Sequence, residues 1–454
     1  MIIRCLFKTM ITVNLKSTNK LAVHAWRSSV LGLLLAIGPL VDEQITAAPS
    51  VIASQAPVPP FTTDWQQSQP DEMDVFTPFG DASANPLPQI FRYGSLQLRP
   101  HANYRFSYGN GIQSSPSNQQ ATAIHEISPG FVLDLGTHWA VDYTPTIRFY
   151  SNSKFGSTVD NALALTGGTQ YEDWTFGFSH ASLFTTTPLA DTGGETEQAT
   201  HATALTASRL LNSKMSADFG LNQQINLVSG YQDSYGWSTL DWLNYQFWPR
   251  LNAGLGAGGG YVKINDNSQT RSTENLDQTY EDLQARVNWR ATEKISFQVS
   301  GGFEDRQFKT TGSGDSINPI YGVTIQYQPF KVTQITLSAN RTVAASDYYL
   351  AAQQTESTVI GLNLNQRLFK RFQLGLGAGY TQTVFNTSTG STFATGSAAA
   401  NRTDDNYSFN VRLSHPFMKR GTWSVFYQYS DNQSSQPGFG FESNQMGFEI
   451  GYRY

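Results

Sequence analysis

The last nine residues of the chain constrain its fold more than any other segment. In this segment, large apolar or aromatic side chains occupy every second position: Met446, Phe448, Ile450, Tyr452 and Tyr454. Side chains of a β-strand alternate between two faces, so the segment predicts a strand with one apolar and one polar face. The last strand of a soluble sandwich also alternates, and only the rest of the chain separates the two interpretations.

The same alternation recurs from residue 91 to the end of the chain. Clear cases are 139–149, 283–289, 295–303, 372–380 and 423–429. They belong to alternating segments of roughly 10 to 16 residues, and a tilted strand needs about 9–11 residues to cross a bilayer. We therefore predict an all-β fold: a single transmembrane antiparallel β-barrel over 91–454, of about 18 strands. A count of 16 is the alternative, because the alternation fades at 159–168 and 198–210.

The connections between these segments alternate in length. Short ones are predicted at 136–138, 211–213, 248–249, 291–293, 329–330, 369–370 and 418–420. Long polar ones are predicted at 109–120, 184–197, 228–236, 264–274, 309–316, 343–352, 386–402 and 431–439. Short periplasmic turns on one rim and long extracellular loops on the other are typical of an outer-membrane barrel. Acidic residues gather in the long loops, which indicates either a mouth that favours cations and neutral solutes or ordinary solvated loops.

Composition agrees with a barrel. Charged residues make up 14% and aromatic residues 13% of the 454-residue chain, so the chain is polar without being highly charged. A mean hydropathy of -0.35 argues against a helical membrane protein. Because the formal net charge is -5, nucleic acid is not an expected partner.

The N-terminal part of the chain is predicted to lie outside the barrel. Basic residues precede the apolar run 30–41 and small residues follow it, so we interpret 1–53 as a signal peptide; a helical anchor needs a longer run. The single cysteine, Cys5, falls in this segment, so the mature chain is expected to lack thiol chemistry. Residues 54–90 contain seven prolines and are predicted to form a Pro-rich periplasmic arm, with a plug of the lumen as the alternative.

If the apolar face of each strand contacts lipid, the polar face lines the lumen. The charged residues on that face are our candidate lumen-lining residues: Asp142, Arg148, Asp282, Arg286, Arg290, Glu304, Arg306, Arg412, Glu449 and Arg453. Amides, hydroxyls and glycines surround them, and such a surface holds water and offers hydrogen bonds to neutral solutes. Alternatively, the charges pair across neighbouring strands and stiffen the wall.

Catalytic patterns are weak in this sequence. The histidines after the predicted signal peptide are His101, His125, His138, His180, His201 and His415. We recognise no Ser–His, Asp–His or metal-ligand spacing among them. The segment 312–316 departs from the G-x-S-x-G pattern and lies in a predicted loop. We therefore expect no enzymatic activity, no cofactor and no metal.

The last three predicted strands carry a more specific pattern. Arg402-x-Asp404-x-x-Tyr407 opens one, Trp423-x-Val-x-Tyr-x-Tyr429 forms the next, and Asn444-x-x-Gly447-x-x-x-Gly451-Tyr-x-Tyr454 ends the chain. Over 320–454 the sequence resembles the β-barrel porin type 2 family of Gram-negative outer membranes, some of whose members are encoded beside exopolysaccharide synthesis and export systems. The resemblance implies localisation in the cell outer membrane and a connection with polysaccharide. The other expected partners are outer-membrane lipid, lipopolysaccharide and the barrel-assembly machinery, to which such barrels offer their last strand.

These observations predict a porin-like channel for small hydrophilic solutes or saccharides. Two alternatives stay open. One is an export-associated barrel that guides a nascent exopolysaccharide, and the other is a structural or adhesive barrel with a closed lumen. All three functions assume the same barrel wall. They differ in whether the lumen is open and in what passes through it.

Overall fold

The described residues of the computed structural model are 91–110, 120–189, 194–266, 276–309, 315–345, 353–387 and 402–453. They form one antiparallel sheet. The predicted signal peptide, the Pro-rich arm and Tyr454 lie outside the described residues, so those assignments stay predictions. Within the described ranges, no helix has the length and apolarity that a transmembrane span requires.

A short strand and eighteen long ones make up the sheet. β1 (Arg92–Tyr93) pairs only with the start of the next strand. The long strands are β2 (Leu96–Asn110), β3 (Thr122–Leu135), β4 (Trp139–Tyr150), β5 (Thr158–Tyr171), β6 (Trp174–Leu189), β7 (Gly194–Leu210), β8 (Met215–Val228), β9 (Gln232–Trp248), β10 (Leu251–Asp266), β11 (Gln278–Trp289), β12 (Ile295–Phe308), β13 (Ser316–Phe330), β14 (Thr333–Ala345), β15 (Gln353–Leu368), β16 (Phe372–Thr387), β17 (Arg402–Phe417), β18 (Gly421–Ser434) and β19 (Phe441–Arg453).

Each long strand pairs with its neighbours in sequence, and the last pairs with the first. β19 joins β2 in a register that runs from Asn444↔Asn110 to Arg453↔His101. The sheet is therefore closed, and the prediction of about 18 barrel strands is confirmed.

On the rim of the predicted long loops, several strands extend further than predicted. The loops predicted at 184–197 and 228–236 are mostly strand: only 190–193 separate β6 from β7, and only 229–231 separate β8 from β9. We predicted loops in these two segments because they contain many polar side chains. Polar strand ends that rise beyond the bilayer still satisfy their backbone groups by pairing.

The other rim carries the tight turns. The connection predicted at 329–330 lies at 331–332, because β13 continues through Pro329 to Phe330, where a register shift accommodates the missing N–H. A turn at 172–173 was not predicted, and it separates β5 from β6.

The two faces of the sheet differ in chemistry. One face carries a band of exposed apolar side chains, among them Leu255, Leu283 and Phe303 at 69%, 65% and 63% exposure. Large exposed apolar bands on a closed barrel face lipid. The chain is an outer-membrane β-barrel, located in the cell outer membrane.

The predicted assembly residues lie on this outer face of β19. Met446, Phe448, Ile450 and Tyr452 are 59%, 39%, 42% and 44% exposed. Phe448 stands between Val425 of β18 and Phe106 of β2 in the strand register. Recognition of this strand by assembly machinery stays a prediction.

Candidate functional site on the inner wall

Contacts that skip a strand identify the inner face. Arg286 of β11 lies 2.6 Å from Asp218 of β8, although β9 and β10 stand between them. Side chains on the concave face of a barrel converge, whereas those on the convex face diverge, so this pair faces the lumen. The alternate residues of each strand then face lipid.

Ion pairs link the inner faces of β2 to β5. Arg148 of β4 donates to Glu126 of β3 over 2.7 Å and lies 3.0 Å from Asp160 of β5. Arg105 of β2 lies 3.7 Å from Glu126 on its other side. The candidate residue Arg148 is therefore held between two carboxylates.

A second set continues across the closure to β17. Glu449 of β19 accepts from Asn103 of β2 over 2.8 Å and pairs with Arg412 of β17. Arg412 also donates to Ser424 of β18 over 3.3 Å. We call the charged residues of the two sets the seam belt: Arg412, Glu449, Arg105, Glu126, Arg148 and Asp160. It contains three cations and three anions, so its charges cancel.

Arg286 is the centre of a cluster on β8 to β11. Besides Asp218, it contacts Asn244 of β9 through Nε at 3.0 Å. Its guanidinium lies 4.2 Å from the ring centroid of Trp242. The half-buried guanidinium therefore combines an ion pair with a cation–π contact.

Glycines of β10 make this cluster possible. A Cβ on Gly254 would lie 2.5 Å from the Asn244 side chain, and one on Gly256 would lie 2.7 Å from the Trp242 ring. Larger residues at these positions would displace the side chains that reach across β10.

The pair Arg306–Glu304 faces inward on β12 but is buried, at 2% and 7% exposure. Arg306 donates to Glu304 and to Gln278 over 2.8 Å each, and to the carbonyl of Val343 on β14 over 3.3 Å. The pairing of β13 with β14 ends at Tyr321↔Arg341, below Val343. The end of β14 leaves β13 but stays paired with β15, and its Val343 carbonyl reaches Arg306 on the inner face of β12. This pair is therefore buried and does not line open water as predicted.

The remaining candidates differ in position. Asp142 lies 3.4 Å from His101, and Asp282 accepts from Gln284 over 2.8 Å. Arg453 is partly exposed at the end of β19. Arg290 is not on the wall as predicted: β11 ends at Trp289, and Arg290 lies exposed in the following turn.

The partners of these arginines were not among the residues predicted from the sequence. Asp218 and Asn244 alternate with the exposed outer residues Phe219, Leu243 and Tyr245, so the alternation alone could have placed them on the inner face. Which arginine they meet depends on the register of four strands. That register is not contained in the local pattern.

A neutral surface covers the inner face of β13 to β16. We call it the neutral wall: Gly322, Thr324, Gln326, Thr336, Ser338, Asn340, Gly361, Asn363, Asn365, Gly375, Gly377, Gly379 and Thr381. The strand register shows that they share the inner face: Arg286 pairs with Ser300, and Ser300 pairs with Gly322. The other residues follow from Gly322 by cross-strand pairing and by alternation along each strand. The neutral wall offers amide and hydroxyl groups on a glycine-rich background.

Within the described ranges, no group of three or more His, Cys, Asp or Glu side chains could hold a metal ion.

No family model matches the chain, and no curated protein matches it, so the resemblance to the β-barrel porin type 2 family is not confirmed. The solved structures to which the chain is similar include three proteins of Pseudomonas aeruginosa. The siderophore receptor PirA is 11% identical over 79% of this chain and 80% of its own, with a TM-score of 0.42. OpdL is 12% identical over 80% and 99%, with a TM-score of 0.40. OccK2, solved in complex with glucuronate, is 10% identical over 78% and 97%, with a TM-score of 0.41. Similarities at this level carry no argument about function.

Proposed function

We propose that the chain forms a water-filled channel for small, uncharged, hydroxyl-rich solutes such as saccharides. The neutral wall is the observation that carries this proposal. Its amides and hydroxyls can donate to and accept from sugar hydroxyls, and its glycines leave the lumen wide. Barrels of 16–18 strands are large enough to enclose an aqueous channel.

The charged part of the inner face supports the same solute class. In the seam belt each arginine is close to a carboxylate, so this part of the wall produces little net field in the lumen. A channel that selected strongly for anions or cations would need an excess of one sign. Neutral solutes require no such excess.

Conductance and solute uptake test the proposal. Wild-type protein in planar bilayers is expected to give steady channels with weak ion preference, and vesicles that contain it should take up neutral sugars faster than sugar acids. The double variant Ser338→Asp, Asn363→Asp adds two negative charges to the neutral wall and should raise cation permeability. Arg290→Asp changes the charge in the exposed turn and is the control. Absence of steady channels, or exclusion of neutral sugars, would contradict the proposal.

The two alternatives make different predictions in the same experiment. A closed structural or adhesive barrel gives no conductance. An exopolysaccharide-export barrel conducts only while polymer is absent and is blocked by added polysaccharide. We further propose that outer-membrane lipid and lipopolysaccharide surround the outer face, and that β19 is the strand bound by the assembly machinery.

A further inference from the structure

Four polar side chains interrupt the apolar outer face of the barrel on β6 and β7. They are His180 and Ser182 of β6 and His201 and Thr203 of β7, paired in the register as His180↔Thr203 and Ser182↔His201. We call them the outer polar cluster. Its presence on this face requires an explanation, because polar groups facing hydrocarbon are costly and commonly functional.

The register shows that the outer polar cluster faces lipid. On β7, Ser208 donates to Asp218, the inner-face partner of Arg286. Residues an odd number of positions from Ser208 therefore face outward, and His201 and Thr203 are among them. Leu205, on the same face as the cluster, is 48% exposed in the apolar band.

The four side chains form a single hydrogen-bonded chain. Ser182 Oγ lies 2.9 Å from His180 Nε2 and 2.8 Å from His201 Nδ1. His180 Nδ1 lies 2.9 Å from Thr203 Oγ1. Two assignments of protons satisfy every contact. In one, the donations run from Thr203 through His180 and Ser182 to His201. In the other, His201 donates to Ser182, Ser182 donates to His180 Nε2, and His180 Nδ1–H donates to Thr203.

This assignment gives each group a chemical role. A serine hydroxyl that donates to an imidazole nitrogen, whose other nitrogen is held by a third side chain, is the arrangement that activates a serine nucleophile. In this assignment Ser182 has the position of a nucleophile, His180 that of its base, and Thr203 that of a residue that orients the His180 ring. The sequence signal for it is His180-x-Ser182 on one face of one strand.

The depth of the cluster suits a lipid ester. Ser182 lies eight residues beyond Trp174, the first residue of β6 after its tight turn. At about 3.4 Å per residue and a tilt of about 40°, this places Ser182 roughly 20 Å above the periplasmic edge of an apolar band about 25 Å tall. Acyl esters of outer-leaflet lipids lie at the upper edge of that band.

A groove beside the cluster suits the acyl chain. It has a volume of about 520 Å³ and lies on the outer face. Phe178, Leu205, Phe219 and Leu221 line the part beside the cluster, and Thr239 and Asp241 contribute polar groups from β9. Phe178 and Leu205 are two residues from His180 and Thr203 toward the periplasmic ends of their strands. An acyl chain that descends from an ester at Ser182 toward the membrane centre would therefore enter this groove.

We propose that Ser182, His180 and Thr203 form an esterase site for acyl esters of outer-leaflet lipids. Ser182 Oγ attacks the ester carbonyl carbon, and its proton passes to His180 Nε2. The C–O bond to the alcohol breaks, and the leaving oxygen takes that proton. Water then attacks the acyl-serine, with His180 accepting the proton of the water and returning it to Ser182 as the fatty acid leaves.

Substrate access to Ser182 requires a conformational change, because the serine is buried. Ser182 and His201 are 3% and 8% exposed, and the ring of Phe184 meets the ring of His201 edge-on, with centroids 5.4 Å apart. Rotation of His201 away from Ser182 opens the site and frees its N–H to donate to the oxyanion. Phe184→Ala, which removes the contact that holds His201, should increase the rate of reaction.

A fluorophosphonate probe on the full-length protein in lipid vesicles tests the nucleophile. Wild-type protein is expected to be labelled at Ser182, and Ser182→Ala to lose the label. His180→Ala should slow labelling at least about a hundredfold. Ser179→Ala is the matched control, because Ser179 lies on the same strand and faces inward. Labelling of Ser182→Ala at the wild-type rate, or no labelling of correctly folded wild-type protein, would overturn the proposal.

Product analysis then identifies the ester. In separate arms, phospholipid vesicles and purified lipopolysaccharide are incubated with protein, and released fatty acid is measured. Release in either arm that Ser182→Ala abolishes supports the site and names its lipid, and no release in either arm overturns it. Thr203→Val should lower the rate and shift its pH profile, and Thr203→Ser should restore both. The conductance of Ser182→Ala should equal that of wild type, so this proposal and the channel proposal fail independently.

Discussion

The outer face beside the barrel closure and the outer face of β6–β7 are built from the same ladder but carry different chemistry. Beside the closure, Val425, Phe448 and Phe106 stand in one line of the register, and the rings of Phe106 and Phe448 lie 5.5 Å apart. On β6–β7, the outer polar cluster occupies the equivalent face. Strand alternation determines which residues face outward, whereas the type of residue at each outward position varies independently. A polar residue that faces hydrocarbon costs stability, and its presence there indicates a function.

The largest effect is expected when a charge is placed on the apolar outer face beside the barrel closure. Phe448→Arg places a guanidinium against hydrocarbon near mid-depth, at a cost of about 2–4 kcal/mol. Gln445→Arg is the matched control, because Gln445 lies on the inner face of the same strand. Heat-modifiable migration on gels and recovery in the outer-membrane fraction should fall for Phe448→Arg alone. Equal recovery of both variants would show that β19 has been assigned the wrong faces.

A smaller effect is expected when one member of the outer polar cluster is removed. His180→Leu leaves the Thr203 hydroxyl without its imidazole partner, 2.9 Å away in the native site. An orphaned polar group in a nonpolar environment costs about 1–3 kcal/mol. Urea unfolding in lipid vesicles should report that loss. His138→Leu, in the exposed turn after β3, should leave stability unchanged.

The smallest effect on stability is expected when the whole cluster is replaced. The variant His180→Leu, Ser182→Ala, His201→Leu, Thr203→Val extends the apolar face across β6–β7. Since all partners are removed together, the free energy of unfolding should stay within about 1 kcal/mol of wild type. Esterase activity should be absent. A large loss of stability would indicate that the cluster supports folding instead of catalysis.

Much of the fold could be predicted from the sequence because strand alternation is local. The number of strands and the two faces of β19 follow from side chains at every second position. The prediction was weakest at 159–168 and 198–210. For the second segment the structure gives a reason: on β7, His201 and Thr203 occupy outward positions where apolar residues were expected. At 198–210 the alternation therefore fades where the outer polar cluster replaces apolar side chains.

The pairings on the inner face could not be predicted in the same way. Arg286 and Asp218 are 68 residues apart in sequence, and Asn103 and Glu449 are 346 apart. Their contacts depend on strand register and on closure of the sheet, which are properties of the whole barrel. Burial of Arg306 depends in turn on β14 leaving β13 above Tyr321, a departure that alternation does not encode.

The seam belt has a consequence for biogenesis. Glu449 stands opposite Arg105 where β19 meets β2, and Asn103 donates to the same carboxylate. A slip of one residue between β19 and β2 would turn one of these two strands over, and Glu449 or Arg105 would then face hydrocarbon. Closure in the native register keeps both charges on the inner face, where Glu449 also pairs with Arg412. Correct closure of the barrel is therefore coupled to the burial of these charges on the inner face, and we expect misaligned closure to be disfavoured during assembly.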